Sequence, residues 1–362
     1  MTFEEAQRLF NADQIRELAQ NPDGLRFLKL RSLNRGEHLL RLFAAAGIQP
    51  NDSSARAMFR EAFACRRITA DVVGRVIREI YEEEHDSRRQ GETDLINNLY
   101  RLQVFDWGGL HQNSLEKTIV DNYVKKIRSY DLLCDKIDNE LHDSMRGYVL
   151  NSWYNHWTSI IIEDIFRDHP AVLPAVGQVK KIDFFIHDVP FDLKVTYLPE
   201  GFIQEKRRHE DHRPELTLLK QSARRHHIPL NEDLPSAKLL EDLWAKHRDH
   251  PAHSAQALIA DLRAYRLRVL DECQQQPGVL IRWLYENQGV RRFDASNRLF
   301  LVLVDKGNFF DSWKLKRAKQ LLDDRIRNYL DSVGATPGRL VNFDWEGNPY
   351  SALSDAIFVV HP

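Results

Sequence analysis

The sequence predicts an α/β protein, an α+β mixed sheet flanked by helices, with an N-terminal helical region and a helical insertion. Three observations carry this. Over residues 2–169 apolar positions recur at three-and-four spacing with almost no β-branched alternation; from Pro170 to Tyr197 the period shifts to alternation rich in Val, Ile and Phe; and two further apolar runs, at 299–304 and 356–360, are separated by helical stretches. The resulting order is helix, strands, helical insertion, strand, helix, strand, which describes one sheet with helices against it.

At 362 residues the chain exceeds the roughly 250–300 at which a single core stops growing. The pattern divides it into an N-terminal helical region over 1–113 and a core over 114–362, with the insertion at about 203–288. A composition of 43% hydrophobic and 29% charged residues excludes a disordered chain. Cys65, Cys134 and Cys273 lie too far apart for a zinc knuckle or a disulfide framework, which fits a reducing compartment. The first ten residues hold Glu4 and Glu5 and no long apolar run, and no stretch reaches the roughly 18 apolar residues of a membrane span, so the expected location is cytoplasmic. Lys and Arg total 51 against 53 Asp and Glu, so bulk charge does not mark a nucleic-acid partner and any such case rests on local clusters.

Taken in order, Thr2 and Glu5 form a capping box, and Asn21-Pro22-Asp23-Gly24 ends the first helix. Helices are expected over 25–46, 53–65 and 69–84, then an exposed charged linker over 84–92 that contains Gly91. A helical stretch over 114–166 is broken near Arg128-Ser129-Tyr130 and near Gly147. Strands fill 172–197, and helices fill 214–286 with interruptions at Pro229, Pro235, Pro251 and Pro277. The run at 298–305 has the composition of a strand buried on both faces. A helix over 312–330 and a strand over 356–360 complete the chain.

The chemistry concentrates in Lys180-Lys181-Ile182-Asp183-Phe184-Phe185-Ile186-His187-Asp188-Val189-Pro190-Phe191-Asp192-Leu193-Lys194-Val195. With His187-Asp188 as a two-residue hairpin tip, Ile186 faces Val189, Phe184 faces Phe191, and Asp183 falls opposite Asp192. Alternation then puts Ile182, Phe184, Ile186, Phe191, Leu193 and Val195 on one apolar face, and Asp183, Asp192 and Lys194 on the other. Cross-strand carboxylates have Cβ atoms only ~4.5–5.5 Å apart, and such a pair is destabilising unless neutralised. A divalent cation does this. Mg²⁺, held by one or two carboxylates with waters and phosphate oxygens completing its octahedron, fits the pair, with Mn²⁺ as the alternative. Lys194 points to the same side, where it orients or deprotonates the water that attacks phosphorus; the 3′ oxygen leaves in line and the product carries a 5′-phosphate.

A lone (D/E)-x-K tripeptide is weak, and an ion pair on a solvated hairpin face is its ordinary explanation. Here Asp192-Leu193-Lys194 is the only such tripeptide, it sits on the one convincing hairpin, and Asp183 occupies the matching cross-strand position. These residues resemble the PD-(D/E)xK nuclease superfamily and its restriction-endonuclease-like proteins, with Asp183 as first acid, Asp192-Leu193-Lys194 as second motif, and Ile182 where a proline often precedes the first acid. The resemblance covers 147–360 and implies a restriction-endonuclease-like core interrupted by the insertion. It also implies an acidic residue on the helix before the sheet, for which Glu163 is the candidate as a catalytic and metal-binding group, and Asp164 the next. Asp164 cannot share the face of Glu163. The implied activity is a Mg²⁺-dependent endonuclease acting on double-stranded DNA in restriction or anti-phage defence, as a homodimer that cuts both strands.

Two basic clusters are candidates for tracking phosphates: Lys206, Arg207 and Arg208, continuing through Arg213, Lys220, Arg224 and Arg225; and Lys314, Lys316, Arg317 and Lys319, read as the start of a helix. A solvated face is the competing explanation. Trp153, Trp157, Trp283 and Tyr285 have helical spacing that favours core over base stacking. His226, His227, His250 and His253 lack a third ligand at recognisable spacing and are expected on the surface. The helices joined by Cys65-Arg66-Arg67-Ile68-Thr69 read as an ordinary helical pair before a helix-turn-helix. The enzymatic rival is a repair or recombination nuclease, and the non-enzymatic rival is a nucleic-acid-binding protein on a nuclease scaffold.

Overall fold

The computed structural model describes residues 1–104, 119, 123–179, 181–287, 297–334, 337–345 and 347–362. The boundary expected at 113/114, the start of the helix expected at 114, the insertion end at 288 and Lys180 lie outside them. Seven helices come first: α1 (Phe3–Asn11), α2 (Ile15–Ala19), α3 (Pro22–Ser32), α4 (Gly36–Ala45), α5 (Ala55–Ala64), α6 (Ala70–Arg89) and α7 (Glu92–Leu99). Thr2 caps α1 by accepting from the Glu5 amide. Asn21 does not close the first helix; its side chain caps α3, where Pro22 is the first helical residue, a position that needs no N–H.

Two further expectations are corrected here. The helix expected over 25–46 is two, α3 and α4, separated by Leu33, Asn34 and Arg35. The linker expected over 84–92 is helical as far as Arg89, because its last turns meet buried carboxylates. Arg88 holds Asp164 through two hydrogen bonds of 2.9 and 2.7 Å, and Tyr81 and His85 reach Asp168 at 2.8 and 3.0 Å. Helices α5 and α6 pack on α3 and α4, and their junction is pinned by Arg26, whose guanidinium donates to the Ala62 and Phe63 carbonyls at the end of α5 and to the Cys65 and Ile68 carbonyls of the turn.

After α8 (Tyr130–Lys136), capped by Ser129, a short π-helical turn leads into α9 (His142–Arg167). The break near Ser129 is present; the one near Gly147 is not, and Gly147 lies inside α9. Strands β1 (Val172–Val179), β2 (Ile182–Ile186) and β3 (Val189–Tyr197) follow. The insertion supplies α10 (Glu200–His209), α11 (Glu215–His226), α12 (Ser236–Arg248), α13 (His253–Gln275) and α14 (Pro277–Glu286). Then come β4 (Asn297–Asp305), a 3₁₀ helix (Phe309–Arg317), α15 (Lys319–Ser332), β5 (Arg339–Trp345) and β6 (Asn348–His361). The single helix expected over 312–330 is therefore two elements, and β5 is a strand the sequence reading omitted.

The six strands form one mixed sheet in the order β1-β2-β3-β4-β6-β5, with β3, β4 and β6 parallel and the remaining pairs antiparallel. Strand β4 is central and buried along almost its whole length, which is why its sequence is a continuous apolar run. On one face, α9 and α15 pack on Phe184, Ile186, Phe191, Leu193, Leu299, Leu301 and Leu303. On the other, α13 and α14 cover Phe300, Val302 and Val304, so the insertion provides the second layer over β4, β5 and β6. The N-terminal helices share a core with Ala175, Val179, Ile182 and Phe185. Ile182 thus leaves the group with Phe184 and Ile186 expected for it, because the β1–β2 register shifts between Pro174 and Val179. Trp153, Trp157, Trp283 and Tyr285 all pack in the cores, as expected. Among the described residues no helix is long and apolar enough to cross a membrane.

Helix α3 approaches β1 so closely that a Cβ at Gly177 would stand 2.4 Å from the Ser32 carbonyl oxygen. Gly177→Ala must push two backbones apart, and a loss of about 2–3 kcal/mol in urea-unfolding free energy is expected; an unchanged midpoint would show that the interface yields freely.

Candidate active site

The hairpin that carries the acids has the register expected from its sequence, with Ile186 opposite Val189, Phe185 opposite Pro190 and Phe184 opposite Phe191. Its tip is a two-residue turn in which His187 and Asp188 both have positive φ, 45° and 71°, the backbone that matches strand twist in the tightest hairpins. The buried Lys29 of α3 grips that tip, its Nζ standing 2.5 Å from Asp188 Oδ1.

Ladder pairing between β2 and β3 stops after Phe184 and Phe191. One residue on, the Asp183 side chain takes over the role of a strand: its Oδ2 accepts the Leu193 amide at 2.7 Å. Across from it the buried Asp192 is held from two sides, by Lys194 Nζ at 2.6 Å on Oδ1 and by Arg298 Nε at 3.3 Å on Oδ2. Arg298, fully buried at the start of β4, lies directly beside Asp192 in the parallel ladder and stacks over the Tyr285 ring. It is a site residue that sequence reasoning missed. The one available signal was a charge opening an otherwise apolar run, which implies a partner without naming it.

Glu163 lies on α9, paired with Arg167 at 2.7 Å, and Arg167 also donates to the Asp183 carbonyl at 3.4 Å. Burial pushes the Glu163 carboxyl above its ordinary value, with Arg167 opposing and Asp183 adding to the rise. Burial and then the Asp192 charge push Asp183 upward too, against the Leu193 amide, Lys194 and Arg167. Asp164, the other acid considered on α9, is spent on Arg88 and points to α6. Among the described residues no group of three or more His, Cys, Asp or Glu side chains is arranged to hold a metal ion. The set of Glu163, Asp183 and Asp192 is therefore not assembled as a three-carboxylate cage. Mg²⁺ is usually held by one or two carboxylates; among the described residues Asp183 has one oxygen without a hydrogen bond, whereas both oxygens of Asp192 are engaged by Lys194 and Arg298, so a metal held by the pair would compete with one of those cations. Three carboxylates (Glu163, Asp183, Asp192) face three cations (Arg167, Lys194, Arg298), so the site is formally neutral.

The basic clusters are largely committed inside the protein. Lys206 pairs with Glu272; Arg207 is buried, donates to the Arg213 carbonyl at 2.9 Å and stacks on Tyr265; only Arg208 of the three is exposed. Lys314 pairs with Asp311 at 2.8 Å, Arg317 is buried and donates to the Leu99 and Leu102 carbonyls at 2.8 and 2.6 Å, and Lys319 pairs with Glu92. In the continuation of the first cluster Arg213, Arg224 and Arg225 are exposed and Lys220 is half-buried, so with Arg208 the open cations of that cluster are arginines. Lys316 turns inward, into a cleft of about 380 Å³ between α9 and β3. No protein-family model, curated protein or solved structure matches this chain.

An acid raised in the folded state binds its proton more tightly there than in the unfolded chain. The stability of Asp183 and Glu163 is thus greatest below the ordinary carboxylate range and is lost as pH rises through it toward the folded value. Asp183→Asn, which keeps an oxygen for the Leu193 amide, is expected to raise stability by roughly 0.5–1 kcal/mol near pH 7.5 and by nothing near pH 3. Thermal unfolding at the two pH values measures this, and a loss at neutral pH would show that the two acids do not oppose one another.

Proposed function

We propose that the chain is a Mg²⁺-dependent endodeoxyribonuclease that hydrolyses phosphodiester bonds in double-stranded DNA to 5′-phosphate ends, built on a restriction-endonuclease-like core. The observation that carries this reading is the meeting of Asp183 and Asp192 across the end of a ladder, with Lys194 at 2.6 Å from the second acid. Asp183 and Asp192 would hold the metal. When bound, it polarises the phosphoryl group and offsets charge as the leaving oxygen departs. Lys194, with its side chain about 41% exposed, holds the nucleophilic water and takes part in its deprotonation. Arg298 fixes the Asp192 carboxylate from the protein side, and Arg167 does the same for Glu163, which supports the site from α9. Because the protein groups sum to no net charge, affinity for a dication is expected to rise once the phosphate brings its own negative charge.

A role in restriction or anti-phage defence, and a homodimer that cuts both strands, belong to the same proposal. The second reading, a nucleic-acid-binding protein without catalysis, is favoured by one observation: Asp192 is already neutralised by two cations.

Lys194→Ala is the clean test, because Asp192→Ala would strip the buried Arg298 of its carboxylate and confound folding with chemistry. With Mg²⁺, the parent is expected to cut duplex DNA and Lys194→Ala to cut at least about a hundredfold more slowly, a loss of general-base scale, with DNA retained and the fold kept by Arg298, which still holds Asp192. Chelator should abolish cutting. A parent that binds DNA and leaves it intact in Mg²⁺ and in Mn²⁺ supports the non-catalytic reading.

A further inference from the structure

The cleft between α9 and β3 is built by two regular stripes. Asn155, Ser159 and Glu163 recur every four residues along α9, and Leu193, Val195 and Tyr197 every two along β3; Lys316 of the 3₁₀ helix closes one end. Its polar groups are poorly satisfied. Lys316 is half-buried and its Nζ donates to Asn155 Oδ1 at 3.0 Å, while Asn155 Nδ2 and Tyr197 Oη are buried with no hydrogen-bond partner among the described residues. The Lys316 ammonium also lies 5.8 Å from the centre of the Tyr197 ring. The residues that line the cleft thus carry three donors, an ammonium, an amide N–H and a phenol O–H, one of them charged. That set repels cations and matches an oxygen-rich anion. The one carboxylate lining the cleft, Glu163, sits at the other end from Lys316 along the α9 stripe and is paired with Arg167.

The cleft shares one residue with the proposed reaction centre: Glu163 lines it and feels the charges of Asp183 and Lys194, while Asp192 and Lys194 alternate along β3 with Leu193, Val195 and Tyr197 and so leave the strand on its other face. Beyond Phe191, β3 has no ladder partner on its β2 side among the described residues, and the Asp183 carboxylate, which accepts the Leu193 amide, stands at that edge.

We propose that Lys316, Tyr197 and Asn155 form a subsite for a single phosphate group of the nucleic-acid strand, in a cleft that shares Glu163 with the proposed reaction centre. This deepens the nuclease reading and rests on it for the origin of the phosphate, though the pocket itself is defined by its own donors. Burial lowers the Lys316 ammonium to about pH 8 for half-deprotonation, and an anion seated on it restores the charged form.

Calorimetry near neutral pH in chelator, on the full chain, separates this site from catalysis. The probes are inorganic phosphate and two short single-stranded oligonucleotides that differ only in a 5′-phosphate. Phosphate is expected to saturate, with at least about tenfold weaker binding in Lys316→Met and at least about threefold weaker binding in Tyr197→Phe. Loss of the desolvated ammonium should leave unfolding temperature equal or higher, which guards against misfolding as the cause. Tighter binding of the 5′-phosphorylated strand assigns a terminal monoester; equal binding of both strands, each weakened by Lys316→Met, assigns an internal diester; both support the subsite. Absence of binding for all three probes, or equal binding by parent and Lys316→Met, overturns it. Phosphate binding in a protein that never cleaves DNA would sink the nuclease reading and leave the subsite standing.

Discussion

A buried carboxylate on a strand next to the centre of a sheet is tolerated only when positive charge reaches it, and in this protein Asp192 receives that charge from two directions. Lys194 comes from its own strand, two residues on, and Arg298 from the neighbouring strand at the same level of the ladder. The pairing of β3 with β4 thus sets the orientation of the acid, and the acid in turn ties β3 to β4. Chemistry and architecture share one contact. The hold on Lys194 and the charge felt by Asp183 both follow from how that carboxylate is clamped.

The local half of this arrangement was legible in the sequence. A two-residue tip fixes register, and the pairs Ile186 with Val189 and Phe184 with Phe191 follow from it; beyond Phe184 the ladder ends and the Asp183 side chain bonds to the Leu193 amide instead. The non-local half was not legible. Arg298 is about a hundred positions from Asp192, and nothing in local pattern says which residues two parallel strands will align. Similar reasons account for the other departures. Helix α6 outruns its apolar pattern because Arg88 and His85 find acids on α9; Ile182 changes neighbours because a bulge intervenes between β1 and β2; β5 escaped notice because its buried positions, Val341 and Phe343, are so few.

The basic residues give the sharpest lesson about reading charge from sequence. A run such as Lys206-Arg207-Arg208 resembles a phosphate-binding row, yet two of its members are engaged within the fold. Arginine recurs as an internal staple: Arg26 gathers the carbonyls of one helix junction, Arg78 reaches the Arg167 and Val172 carbonyls, and the buried Arg266 bridges Glu200 and Glu215. Its planar fork suits carbonyl clusters that would otherwise be left unmet in a protein of many short helices. Sequence alone cannot distinguish a staple from a nucleic-acid contact, since both need a cation near the end of a helix.

The insertion has a temporal meaning as well as a spatial one. Strand β3 ends at Tyr197 and β4 begins at Asn297, so closing their ladder joins segments far apart along the polypeptide, across the helices of the insertion. Synthesis runs from the N-terminus, so a chain that has emerged only as far as the hairpin carries Asp183, Asp192 and Lys194 without Arg298. The second cation of Asp192 waits for the later strand.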